Sequence, residues 1–222
     1  MTVWFLSDTH FGHTKAAGHR EFLNNGEPNT AAHDAHIIAR YREHVLPRDT
    51  VWWLGDIAVT SSPVKLRAIL ALIAELPGTK HLIAGNHDAC WPGNRQSYLW
   101  QRTYLSAFDS VQAFARRKLP LNTGTVPLLL SHFPYHAEHV TNVDDQVLDP
   151  ATTDRPRENY RLRDNGLRLL HGHLHNHQKI TSRYETPDGS AGPVKEVHAG
   201  LDAWGLAPVS WDQIIATFEK GE

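Results

Sequence analysis

Short apolar runs alternate with longer stretches of helical period along this chain. Val3–Leu6 reads as a buried strand and Thr30–His44 as a helix. Val51–Leu54 reads as a strand after the turn-like Pro47–Asp49. Pro63–Leu76 reads as a helix, with a proline near its start and Pro77–Gly78 as its stop. His81–Ala84 is expected as a strand and Gln96–Phe108 as a helix. Ser110–Phe114, Val126–Leu130, Leu167–Leu170 and Val194–Val197 are expected as strands, and Trp211–Glu219 as a closing helix. This alternation predicts an α/β protein. The stretch from Tyr135 to Asp164 has no period and is rich in Asp, Arg and Pro. It reads as a loop or cap insertion, and its length favours a substrate-facing role.

Composition changes this picture little. With 222 residues, 41% hydrophobic and 21% charged, residues 1–222 suit one domain with an ordinary core. Cys90 is the single cysteine, so an intramolecular disulfide is excluded and a reducing, cytoplasmic setting is expected. No apolar run approaches the ~20 residues of a membrane span, and the N-terminus lacks the pattern of a signal peptide. A net charge of −2 argues against a protein that tracks long nucleic acid. The departure is histidine, present 16 times and concentrated in short motifs. Imidazole is the commonest metal ligand and a common acid–base group.

Five polar clusters each follow a strand-like run: Asp8-Thr9-His10, Gly55-Asp56, Gly85-Asn86-His87-Asp88, Ser131-His132 and Gly172-His173-Leu174-His175. Residues just past the carboxyl ends of strands collect at one sheet edge in α/β folds, where ligands bind. Each cluster alone would more often be a turn or a cap. Their joint occurrence after successive strands predicts one site. The donors are carboxylates, an amide carbonyl and imidazoles, with no thiolate. That mixture favours manganese, iron, zinc, nickel or cobalt over softer ions and is too nitrogen-rich for a calcium or magnesium cage.

In this order the five clusters resemble the signature of calcineurin-like metallophosphoesterases, over residues 4 to 175. The opening Ser7–His13 and the tail Ala199-Gly200-Leu201-Asp202-Ala203-Trp204 resemble small bacterial and phage members. The resemblance implies a four-layer αββα sandwich with a dinuclear metal site at the sheet edges. It implies Asp8, His10, Asp56 and His175 on a first ion, and Asp56, Asn86, His132 and His173 on a second, with Asp56 bridging. His87 would face the leaving group, oriented by Asp88. The implied activity is phosphate-ester hydrolysis by a water activated between two divalent ions, manganese first among them. The expected substrate is a small phosphodiester of nucleotide type, with a cyclic nucleotide as one form. A phosphomonoester is the alternative. No membrane or protein partner is expected.

Other residues carry a bland and a functional reading side by side. His13 either touches phosphate or packs in its loop. His198 either supports the site or contacts substrate. Arg155, Arg157, Arg161 and Arg163 form either a solvated face or a phosphate contact. Trp91 is core or an apolar rim. Trp52 and Trp53 should pack into different layers, because adjacent strand residues face opposite ways. His171 is expected to be buried, His33 and His36 to lie on a helix surface, and His177 to be no ligand. Two rivals remain. The run His171–His177 superficially matches the HxHxDH motif of metallo-β-lactamase-like enzymes but lacks its aspartate. A non-catalytic scaffold would have lost ligands that are all present here.

Overall fold

The computed structural model describes residues 1–136 and 160–220. Two five-stranded sheets face each other. The first is built from β1 (Val3–Leu6), β4 (Thr50–Trp53), β5 (Thr79–Ile83), β6 (Ser110–Gln112) and β12 (Val209–Ser210), in the order β12-β1-β4-β5-β6. All its pairings are parallel except β1 with β12. The second contains β7 (Ala115–Leu121), β8 (Gly124–Leu130), β9 (Arg168–His171), β10 (Ile180–Glu185) and β11 (Ala191–His198), in the order β10-β11-β9-β8-β7. Its central strands β8, β9 and β11 run parallel, and its edges are antiparallel. A small hairpin, β2 (Leu23–Asn24) with β3 (Glu27–Pro28), follows the short helix α1 (Thr14–His19).

Strand alternation gives the first sheet two apolar faces. Phe5, Trp52, Leu54 and Ile83 meet Leu119, Leu128, Leu130, Leu170, Val194 and Val197 between the sheets. Leu6, Val51, Trp53 and Leu82 face the helices on the other side. Trp52 and Trp53 therefore lie in separate cores, as expected. The outer face is covered by α2 (Thr30–His44), through His33, Ile37 and Tyr41, and by α3 (Pro63–Ala74), through Leu66, Leu70 and Ile73. Both helices start where local chemistry permits. The Asn29 side chain accepts from the Ala32 amide at 3.0 Å. Ser62 caps α3, and Pro63 occupies a first-turn position whose amide would have no helical acceptor. The closing helix α5 (Trp211–Phe218) starts on a Ser210–Gln213 capping box and sends Ile214 and Phe218 into the core between the sheets. No described helix is long and apolar enough to cross a membrane.

Two expectations fail and one strand goes unread, each for an identifiable reason. Gln96–Phe108 is not one helix. It is a 3₁₀ turn at Ser97–Leu99 followed by the single-turn α4 (Gln101–Tyr104). Its apolar residues do not form one stripe: Tyr98, Leu99 and Leu105 are exposed, whereas Tyr104, Ala107 and Phe108 are buried. β7 is missing from the sequence reading because its residues, Ala-Arg-Arg-Lys-Leu-Pro-Leu, look polar. It is an edge strand, which tolerates both the charges and Pro120. His33 is not on the surface. It is fully buried in line with Ile37 and Tyr41 at four-residue spacing, and its ring nitrogens meet Arg20 at 3.0 Å and Asp34 at 2.8 Å.

Leu70 is almost completely buried against the first sheet. Leu70→Ala should cost about 2–5 kcal/mol through lost transfer energy and a residual cavity. A urea midpoint displaced by less than that range, at unchanged slope, would show that α3 can collapse onto the gap.

Candidate metal centre

The five clusters sit at the carboxyl ends of five strands, and the two sheets bring them to one edge. Asp8–His10 follows β1, Gly55-Asp56 follows β4 and Gly85–Asp88 follows β5. Ser131-His132 follows β8, and Gly172–His175 follows β9. Backbone bonds stitch these loops across the sheets. Asp8 N donates to Gly55 O at 3.0 Å and His10 N to Asp56 O at 3.1 Å. Gly172 N donates to His132 O at 2.9 Å, and Leu201 N to Ser7 O at 3.2 Å. His173 N donates to Asp8 Oδ2 at 2.9 Å, joining the second sheet to the first through a candidate ligand.

The loops approach so closely that two positions require glycine. A Cβ on Gly85 would stand 2.3 Å from Asp56 Oδ1, and one on Gly172 would stand 1.9 Å from Ser7 Oγ. Among the described residues, seven non-glycine positions have positive φ, and four of them are Asp8 (61°), His10 (47°), Asp56 (56°) and His173 (74°). Strain of this kind persists only where the surroundings over-determine the backbone. Here it falls on four candidate ligands in three of the five loops.

Two groups of donors result, Asp8/His10/His175 and Asp56/His132/His173, each with its ligand-type atoms within 4.8 Å of one another. Asp56 lies between them. Its Oδ2 is 3.4 Å from His132 Nε2, 3.7 Å from His10 Nε2 and 3.9 Å from His87 Nε2. Asp8 Oδ1 is 3.8 Å from His10 Nε2 and 4.0 Å from His175 Nε2. Asn86 Oδ1 approaches His132 Nε2 at 3.1 Å, so the amide joins the second group. The arrangement fits divalent ions on its own chemistry. Asp8 Oδ1 and both ring nitrogens of His10 are buried without a hydrogen-bond partner, a costly state unless another acceptor of electron pairs completes the site.

The charges are consistent with this. Burial alone would raise the carboxyls of Asp8 and Asp56. His10, His132 and His175 hold Asp8 well below the usual range instead, and His132 and His10 do the same for Asp56. Both are anionic at neutral pH. Burial opposes protonation of His132, but Asp56, then Asp8 and the Leu54 carbonyl, raise it to about 9. Its Nδ1 lies 2.7 Å from Leu54 O, so both nitrogens of the ring face acceptors. Burial and the neighbouring His132 lower His173 well below the ordinary value.

His87 is exposed, with 38% of its side chain accessible. Its amide donates to Asp56 Oδ1 at 2.8 Å, and its ring lies 5.5 Å from that of His10. Asp88, expected to orient it, uses both carboxyl oxygens on backbone amides. Its Oδ2 accepts from Gly85 N at 2.8 Å and Asp56 N at 3.0 Å, and its Oδ1 from Ile57 N at 3.0 Å. The fully buried carboxyl thus straps the Gly85 and Asp56 loops together. Burial and the field of Asp56 push it up to about 7, against these amide donors.

The outlying candidates separate. His13 is half-buried beside His10, with ring centroids 5.5 Å apart. Burial and then His10, His87 and His175 pull it down to about 4, so it reaches the site as a neutral ring. His198 is fully buried and stacked on His171, 5.5 Å between centroids. Substrate contact is therefore closed to it. His171 is buried, as expected. His177 is exposed and bonds through Nδ1 to Asp202 O at 2.8 Å, outside both groups. Arg155 and Arg157 lie outside the described residues. Arg161 donates to Pro134 O at 3.0 Å and lies over Phe133. Phe133 in turn packs on His132 and His173. Arg163 is exposed. Trp91 joins Phe133 and Tyr160 in an aromatic wall beside the second group. The sequence reading missed Arg20. It names Asp202 only within the tail motif, although both residues abut the first group.

A model of the family described as calcineurin-like phosphoesterase matches residues 1–188. The Gene 66 protein of Mycobacterium phage D29 is 37% identical over 203 residues, covering 91% of this chain and 88% of that protein. The Gene 66 protein of Mycobacterium phage L5 is 36% identical over 215 residues, covering 96% and 91%. Among solved structures, AQ665 from Aquifex aeolicus, a protein of unknown function, resembles the fold with a TM-score of 0.57 at 22% identity, covering 96% of this chain and 97% of that one. With a family model spanning most of its length and two full-length relatives above 30% identity, the chain belongs to the calcineurin-like phosphoesterase family.

Proposed function

We propose that this protein is a dinuclear metal-dependent phosphodiesterase acting on small esters whose leaving group is planar, as in a nucleotide. The observation that supports it most is the position of Asp56 Oδ2, within 3.7 Å of a histidine nitrogen from each donor group. Asp8, His10, Asp56 and His175 would hold one ion, and Asp56, Asn86, His132 and His173 the other, with manganese the expected metal. Two ions so held would supply an activated water and charge neutralisation for an in-line displacement at phosphorus.

The chain's own groups supply the rest. The two ionised aspartates leave a cationic site when two divalent ions are bound, which draws a phosphate anion. His87, which is exposed, would give a proton to the departing oxygen. Trp91, Phe133 and Tyr160 offer an apolar wall beside the second group, with Arg161 alongside. Such a wall suits a flat leaving group better than an aliphatic alcohol.

Elemental analysis after manganese loading should find two ions per chain, and Asp56→Asn should lose both metal and turnover. One ion or none in the wild type, or a mutant with near-normal turnover, would sink the shared-carboxylate reading. On the loaded enzyme, bis-nitrophenyl phosphate and cyclic nucleotides should turn over faster than mono-nitrophenyl phosphate. The reverse order would make the protein a monoesterase.

Metal uptake should also be linked to pH. His132 is raised to about 9 in the metal-free site and so carries a proton at pH 7, whereas a ligating imidazole must be neutral. Loading at pH 7 should therefore release about one proton from this residue. Affinity should rise with pH and level off above about 9. Calorimetry in buffers of different ionisation enthalpy reads the proton directly, and an affinity independent of pH would contradict the assignment.

His87→Ala should keep both ions, because the two ligand sets are complete without it. It should lose about 10²–10⁴-fold in kcat on a poor leaving group such as a nucleoside alkoxide, and much less on nitrophenoxide, which departs without a proton. Equal losses on both substrates would make His87 a stabiliser of phosphoryl charge and remove it as the acid.

A further inference from the structure

Of the imidazoles in the two donor groups, His175 is the one that packing does not fix. The His10 and His132 side chains are 3% and 1% exposed, whereas His175 is 48% exposed. A half-exposed ring on a loop would sample several rotamers and present either nitrogen to the site. It is met from behind by Asp202, whose Oδ2 lies 3.4 Å from His175 Nδ1, while His175 Nε2 points toward Asp8 Oδ1 at 4.0 Å. A proton on Nδ1 directed at this carboxylate leaves the Nε2 lone pair facing the donor group.

Asp202 is itself gripped. Arg20 Nε and Nη2 donate to its two oxygens, both at 2.8 Å, as a two-pronged pair. The Arg20 side chain is 3% exposed. Its remaining donor positions serve the same site: Nη2 reaches Asp8 O at 2.8 Å and Nη1 reaches Thr9 O at 3.4 Å. These carbonyls lie within the strained turn whose φ is positive at both Asp8 and His10. His33 Nε2, 3.0 Å from Arg20 Nη1, closes the back of the network and gives the burial of that histidine a reason. The tail motif around Asp202 thereby connects to the first loop of the chain, 182 residues away in sequence.

We propose that Arg20 and Asp202 are a positioning pair for the first metal group. Asp202 sets the tautomer and orientation of His175, and Arg20 locks Asp202 while pinning the Asp8–His10 turn. The inference rests on the dinuclear reading above and adds two residues that touch neither ion nor substrate. Carboxylates that orient a ligating histidine are worth about 10–100-fold in metal affinity, which sets the expected size.

The test is manganese titration of the metal-free full-length protein by calorimetry, with thermal melts on the same samples. In the wild type both sites should fill. Asp202→Ala should weaken one site by about 10–100-fold and leave the other unchanged. Arg20→Lys keeps the charge but loses the fork, so it should weaken the same site by less. It also provides the test if Asp202→Ala does not fold. The decisive comparison is made in a His175→Ala background, where removing Asp202 should have no further effect on manganese affinity. An equal loss with and without His175, or a loss at both sites that tracks the melting temperature, would reduce the pair to a fold-stabilising ion pair and overturn the proposal. Normal manganese affinity in Asp202→Ala would overturn it while leaving the metal centre intact. A wild type that takes up no manganese would remove the metal reading and this inference with it.

Discussion

Two carboxylates buried side by side, those of Asp8 and Asp56, set the terms on which this structure can exist. Both are almost completely hidden from solvent. An isolated buried carboxylate is costly enough that it would ordinarily take up a proton. Here that outcome is prevented by directed donors. Asp8 Oδ2 accepts from the His173 amide and Asp56 Oδ1 from the His87 amide, and imidazoles crowd the oxygens that remain. Those donors can be delivered only if four different loops meet at one point. The loops can meet only if Gly85 and Gly172 have no side chain. Much of what is unusual in the backbone therefore follows from keeping two negative charges alive in the interior.

The layered fold supplies what the charges require. Parallel strands place their following loops at one edge of each sheet, and packing the two sheets face to face brings the edges together. The core between the sheets, centred on Phe5, Trp52, Leu130 and Leu170, fixes the distance between them. The seam above it is polar: Leu201 N donates to Ser7 O and His173 N to Asp8 Oδ2, while Gly172 N and His132 O join neighbouring loops of the second sheet. Asp88 belongs to this scaffold. A carboxyl that accepts three amide hydrogens ties the Gly85 loop to the Asp56 loop, and so controls how Asp56 and Asn86 stand relative to each other.

The site was largely legible in the sequence because its chemistry is local to motifs. Each cluster is short, follows an apolar run and contains its own donors, so order and spacing sufficed to bring the five clusters to one edge, and the family resemblance implied Asp8, His10, Asp56, Asn86, His132, His173 and His175 as the ligands within them. What could not be read were the partners of those residues. Arg20 looks like any helix-terminal arginine, and only its placement against Asp202 gives it a task. Asp88 reads in the sequence only as the neighbour of His87, and its bonds to the amides of Asp56 and Ile57, some thirty residues away, carry no sequence signal. His33 carried a usable signal, the four-residue spacing with Ile37 and Tyr41, but a polar residue type outweighed it. Edge strands such as β7 were hidden for the opposite reason: exposure to solvent frees them from the apolar pattern on which strand recognition depends.

The centre is also asymmetric in how its two halves are held. The second group is rigid because it is buried: His132 is clamped between Leu54 O and Asp56, and Phe133 packs on the rings of His132 and His173. The first group opens to solvent at His175, with the exposed His87 nearby. An opening is needed for a phosphate ester to reach the site, yet an exposed ring loses the order that burial provides. A charged pair behind it can restore that order without closing the mouth, because its hydrogen bonds are made on the side facing the protein. On this argument, an open face in a centre of this kind calls for a buried ion pair behind it, and the Arg20–Asp202 fork occupies that position.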